Sequence, residues 1–124
     1  MKKPLALITL AAALGATQAS AHETNLKPRH GGMIRELNEH QVELVLAKDG
    51  VRVCVNDHDG KPIAANKITG KVTVLAAGKK IDIELKADKD NCVAGAGEIG
   101  AKATVVVALV VNGVTVSGRF RSAK

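Results

Sequence analysis

Four histidines, His22, His30, His40 and His58, fall in the first half of the chain, and none follows. Imidazole is the commonest side-chain ligand for transition metals and suits Zn, Cu and Ni, so this clustering points to metal binding before other chemistry. His22 has a second property. If a leader is removed after Ala21, His22 becomes the amino terminus. Its free α-amine, with a pKa of about 7.7–8.0, and its ring Nδ1 can then chelate one ion in a small ring. Cu(II) takes such donors most strongly in the divalent series. His30 precedes Gly31-Gly32, residues that permit close backbone approach. His58 stands in Asp57-His58-Asp59-Gly60, where flanking carboxylates can bind an ion directly or orient the imidazole. That run is too short for an EF-hand loop.

The candidate metal ligands are therefore His22, His30 and His58, with Asp57 or Asp59 as an oxygen donor. His40 and Cys54 rank below them, because His40 shares the parity of Val42 and reads as a core-edge residue. Each has a plainer reading. A residue just after a cleavage site is simply polar, His30 lies in a flexible lead-in, and Asp57 and Asp59 bond their own turn.

The two cysteines, Cys54 and Cys92, leave two readings open. Export would permit a disulfide closing a loop of about 38 residues, worth roughly 4 kcal/mol at most in the entropy model. A free Cys54 thiolate beside one or two His would instead suit Cu(I) or Zn. Phase sets the condition for bonding: Cys54 is out of step with Val51, Val53 and Val55, and Cys92 with Val93, so both point to the polar face and a bridge needs them on neighbouring strands. No Cys-x-x-Cys is present, which removes support for a thioredoxin-like role.

Other function classes fare worse. Beyond the leader the serines are Ser117 and Ser122, with no Gly-x-Ser-x-Gly elbow and no phosphate-cradling glycine loop, so the chain is not read as an enzyme. One Phe and no Trp or Tyr leave no faces for base stacking, despite a net charge of +6, so nucleic-acid binding is not expected. Lys2-Lys3, the apolar run Leu5–Leu14 and Ala19-Ser20-Ala21 read as a secretory signal peptide over residues 1–21. The apolar run is too short to span a membrane. Its removal leaves 16 basic and 12 acidic side chains, a modest charge on a mixed surface.

The elements that must position these residues are strands. Residues 22–32 read as an extended arm, since Pro28 disfavours helix at Lys27 and Gly31-Gly32 is a breaker. From residue 33 to 124 the period is two, with hairpin chemistry at Lys48-Asp49-Gly50, Ala77-Gly78-Lys79 and Asn112-Gly113. Thr104–Val111, apolar and β-branched, reads as a strand buried on both faces. Met33–His40 reads as a short strand with a turn at Asn38-Glu39; the helical alternative rests on Met33, Leu37 and Gln41. The expected fold is a single all-β domain, an antiparallel immunoglobulin-like β-sandwich of about seven strands.

Three blocks carry a family resemblance: Pro28-Arg29-His30-Gly31-Gly32, Val42-Glu43-Leu44-Val45 and Asp57-His58-Asp59-Gly60-Lys61-Pro62. Together they resemble small exported proteins of Gram-negative bacteria with a His-Gly-Gly lead-in, a Glu-Leu-Val strand and an Asp-His-x-Gly-x-Pro turn. They are also similar to a block near the start of some periplasmic adaptor subunits of heavy-metal efflux pumps. The resemblance covers positions 28 to 62. It implies a periplasmic β-sandwich that handles copper, with zinc or nickel as alternatives, and it points to His30, His58 and Asp57. The implied partner is a periplasmic efflux or metal-assembly protein. The chain departs from that pattern at Cys54, where the family often has Tyr, and in lacking methionine-rich segments. The expected function is to buffer or deliver the ion. The alternative is an accessory module of an envelope complex that binds no metal and pairs through strand edges or its basic face.

Overall fold

Alternating apolar residues and turn chemistry produce an all-β chain. The structure, a computed structural model, describes residues 26–100 and 102–122. The expected leader and the candidate ligand His22 lie outside the described residues. The described strands are β1 (Met33–Leu37), β2 (His40–Ala47), β3 (Gly50–Asn56), β4 (Ile68–Ala76), β5 (Lys79–Ala87), β6 (Cys92–Ala96), β7 (Thr104–Val111) and β8 (Val114–Arg121). A 3-10 turn at Ala65–Lys67 leads into β4. Met33–His40 thus resolves as a strand and a tight turn. Asn38-Glu39, Ala77-Gly78 and Asn112-Gly113 all have positive φ at both residues. That is the turn geometry whose twist matches the flanking strands.

All paired neighbours are antiparallel, and the strands follow the order β1-β2-β3-β6-β5-β4-β7-β8 in one hydrogen-bonded sheet. Alternation and turn chemistry predict about seven strands in an immunoglobulin-like sandwich. The described residues form eight, and their hydrogen bonding is continuous through one sheet. The middle of the sheet is thin: β5 meets β6 through two residue pairs, Lys86 with Ala94 and Ala87 with Val93. The sheet curls until β1 and β8 face each other, giving a nearly closed barrel. Side chains latch that seam. Leu37 packs against Gly118, Asn38 Nδ2 donates to the Thr115 carbonyl at 2.8 Å, and the Arg35 guanidinium donates to the Arg119 carbonyl.

The barrel interior is aliphatic. Val42, Leu44, Val53, Val55, Val72, Val93, Val105, Val107 and Val116 are fully buried, with Phe120 as the core's aromatic ring. Each such side chain contributes about 1.5–3 kcal/mol on leaving water. The expectation that β7 is buried on both faces is corrected. Val105, Val107, Leu109 and Val111 point inward, whereas Val110, of opposite parity, is 43% exposed. β-Branching fixed the strand, but period two still gave it an outer face.

Gly70 in β4 is required by backbone approach. Its φ is +152°, and a Cβ there would lie 2.2 Å from the Ala108 carbonyl oxygen of β7. Gly70→Ala must part the β4–β7 ladder, and the expected loss is about 2–3 kcal/mol. It should appear as a lower urea midpoint at unchanged slope. An unchanged midpoint would mean that the ladder shifts without cost.

Candidate metal centre

The site is built on the outward face of β2, β3 and β6. Cys54 pairs across the ladder with Glu43 on one side and with Cys92 on the other. Their neighbours in sequence, Val42, Leu44, Val53, Val55 and Val93, fill the core. Period two therefore sends Glu43, Cys54 and Cys92 outward in one row. An outward row is ordinarily wet, yet each of these residues is only 3% exposed.

The cover is the arm that precedes β1. Glu43 Oε1 accepts the Arg29 N–H at 2.9 Å. Its Oε2 accepts the N–H groups of His30 and Gly32, both at 2.8 Å. An ionised carboxylate accepts only, with about four lone-pair sites, and three backbone donors suit it. Gly32 allows the approach, because a Cβ at that position would lie 2.3 Å from the Leu44 carbonyl oxygen. The arm is thus held down by one buried side chain.

Beneath it Cys54 and Cys92 form a disulfide, with Cα atoms 4.0 Å apart. Of the two readings left open, the bridge is the one present. Both sulfurs do point away from the core, as their phase required. The condition that phase set is met, because the cysteines sit opposite each other on the neighbouring strands β3 and β6. The exposed His30 ring closes the group: one of its nitrogens and the two Sγ atoms lie within 4.8 Å of one another. Among the described residues this is the one set of three or more His, Cys, Asp or Glu donors so gathered.

The other candidates are held elsewhere. His58 Nδ1 lies 3.3 Å from Glu36 Oε2. Asp57 Oδ1 accepts the N–H groups of Asp59 at 2.8 Å and Lys61 at 2.9 Å. The Lys61 N–H does most to hold the Asp57 carboxyl below its ordinary value of 3.8; burial opposes it and the Asp59 N–H adds to it. A lowered pKa means that this turn's contribution is present above 3.8 and fades as pH falls through the folded value. His40 Nδ1 lies 2.8 Å from the Asn38 carbonyl oxygen, beside its own turn. The arm and the Asp57–Pro62 turn do meet, through Arg29 Nη1 donating to the Gly60 carbonyl at 3.4 Å. That contact does not bring His58, Asp57 or Asp59 into the donor group around His30.

No protein-family model, curated protein or solved structure matches this chain. The centre is therefore read from its own chemistry. Two of its members, Glu43 as the clamp and Cys92 as a partner of His30, were not singled out as such from the sequence. The available signal was Val45, an apolar residue on the same outward parity as Glu43. Together with two outward cysteines it marks a covered face.

Proposed function

We propose that the chain is an exported, periplasmic transition-metal-binding protein that buffers copper or hands it to an efflux or metal-assembly partner. The observation that carries this reading is the fixed position of His30. The arm is pinned to Glu43 through the backbone on both sides of the imidazole, and the ring remains exposed. A ligand held in place forfeits little conformational freedom when an ion binds. With the leader removed, the α-amine and ring of His22 would supply two further nitrogen donors. Residues 23–29, at about 3.4 Å per residue, are long enough to bring them to His30. This set suits Cu(II) and uses no cysteine. The alternative is an interaction module that pairs through strand edges or its basic face; against the edge form stands the β1–β8 seam, whose side chains cover the two outer flanks.

The test is a Cu(II) titration of the mature protein, made with a true His22 terminus and its disulfide intact, followed by d–d absorption and calorimetry. One-to-one binding is expected. It should weaken at least tenfold in His30→Ala and in a twin carrying one extra N-terminal Gly. Binding absent from all three would leave the interaction module as the reading.

A further inference from the structure

We infer that His30, Cys54 and Cys92 form a redox-gated site for Cu(I), closed while the disulfide is intact and opened by its reduction. The inference extends the metal-binding reading by naming a second oxidation state of the ion and the reaction that admits it. The starting observation is the gathering of one imidazole nitrogen and two sulfurs within 4.8 Å of one another. Donors bound to one ion at about 2.0–2.3 Å each lie roughly 3.5–4.5 Å apart, so the imidazole nitrogen is already within reach of a shared ion, while the two bonded sulfurs must move apart to join it. The strand ladder holds the backbones of Cys54 and Cys92 opposite each other whether or not the sulfurs are bonded. Side-chain rotation is then sufficient to separate the sulfurs around an ion.

The donor set selects the metal. Two thiolates and one imidazole are soft, which favours Cu(I) and Zn over harder ions. Structural zinc takes four protein ligands, and zinc held by three, a Cys2His set included, needs water as its fourth, whereas Cu(I) is satisfied by three donors. Among the described residues no fourth His, Cys, Asp or Glu joins this group. Glu43, the nearest carboxylate in the row, already accepts three backbone N–H groups. A three-donor set of one nitrogen and two sulfurs suits trigonal Cu(I).

The chemistry balances with a dithiol as the reductant. One of its thiolates attacks a sulfur of the Cys54–Cys92 bond, giving a mixed disulfide. Its second thiol then displaces the protein sulfur and leaves as a cyclic disulfide. The dithiol loses two electrons and two protons, and the protein gains both as two S–H groups. Cu(I) binding releases those two protons to solvent and leaves the copper oxidation state unchanged. Reoxidation by a disulfide of an oxidoreductase withdraws two electrons, re-forms the S–S bond and expels Cu(I). Both sulfurs are buried beneath the arm, so thiol exchange requires the arm to lift from Glu43.

The test uses the full mature chain, reduced with a phosphine that is then removed without air, and titrated with Cu(I) against bicinchoninate. Circular dichroism monitors the fold throughout. Reduced wild type should take one Cu(I) with a sulfur-to-copper ultraviolet band, at least a hundredfold tighter than Cys54→Ala/Cys92→Ala. His30→Ala, which keeps both thiols, should weaken binding at least tenfold. Oxidised wild type should show no such band. The inference is overturned if reduced wild type binds no better than the double variant. Equal binding by His30→Ala and wild type, or binding seen only in an unfolded reduced chain, overturns it too. Cu(II) binding by the oxidised protein is a separate readout. If it persists while the Cu(I) site fails, only the gate is lost; if the Cu(I) site is found without it, only the His22–His30 reading is lost.

Discussion

Replacing Glu43 by Gln should lower stability by about 2 kcal/mol, and replacing it by Ala by about 3–4 kcal/mol. Both carboxylate oxygens are in use: one accepts the Arg29 N–H, the other those of His30 and Gly32. Gln preserves the shape but has a single oxygen. If that oxygen faces His30 and Gly32, its NH2 group confronts the Arg29 N–H, donor against donor. Ala removes all three acceptor bonds and uncovers the sulfurs. Hydrogen bonds to a charged group contribute about 1.5–3 kcal/mol each, but part of this is regained as the freed arm meets water. For a domain of this size a loss of about 2 kcal/mol corresponds to a melting temperature roughly 8–16 °C lower. A second readout separates this role from general packing. The rate at which a phosphine reduces Cys54–Cys92 should rise at least tenfold in Glu43→Gln, because the cover over the sulfurs opens locally. Unchanged reduction kinetics, with amide protection retained at Arg29, His30 and Gly32, would show that the arm does not depend on this carboxylate.

Loss of the disulfide has the other large expected effect. Cys54 and Cys92 are 38 residues apart, and closing such a loop restricts the unfolded chain by about 4 kcal/mol in the entropy model. Cys54→Ala/Cys92→Ala should lose about 3–4 kcal/mol by urea denaturation while keeping its strand circular dichroism. The position of the bridge adds a folded-state reason. The short β6 is the strand through which β3 connects to β5, and its bond to β5 consists of two residue pairs. The bridge fastens β6 to β3 next to that thin join. A loss below about 1 kcal/mol would mean that the unfolded chain already keeps these segments together.

The strands were legible because the forces behind them are local. Alternation in Val51-Arg52-Val53 and Ile81-Asp82-Ile83, and the Asn112-Gly113 turn, needed no distant information. Strand order was not legible, since β6 lies between β3 and β5 only through long-range pairing. The same limit hid the centre. His30 was recognisable as a candidate donor, but its proximity to the sulfurs depends on Glu43 pulling the arm across β2 and β3. His58 and Asp57 looked equally suited by residue type. Local bonds within the turn and to Glu36 gave them other work.

The β1–β8 seam bears on how far the outer strand edges are open to another strand. An open sheet of eight strands has two flanks, each with a row of unpaired N–H and C=O groups that can template fibril growth. Here the two flanks face one another. An incoming strand would have to displace Leu37 from Gly118 and release Asn38 from Thr115 before it met bare backbone. The curl of the sheet thus shields both vulnerable rows with side chains, without completing the ring of backbone hydrogen bonds.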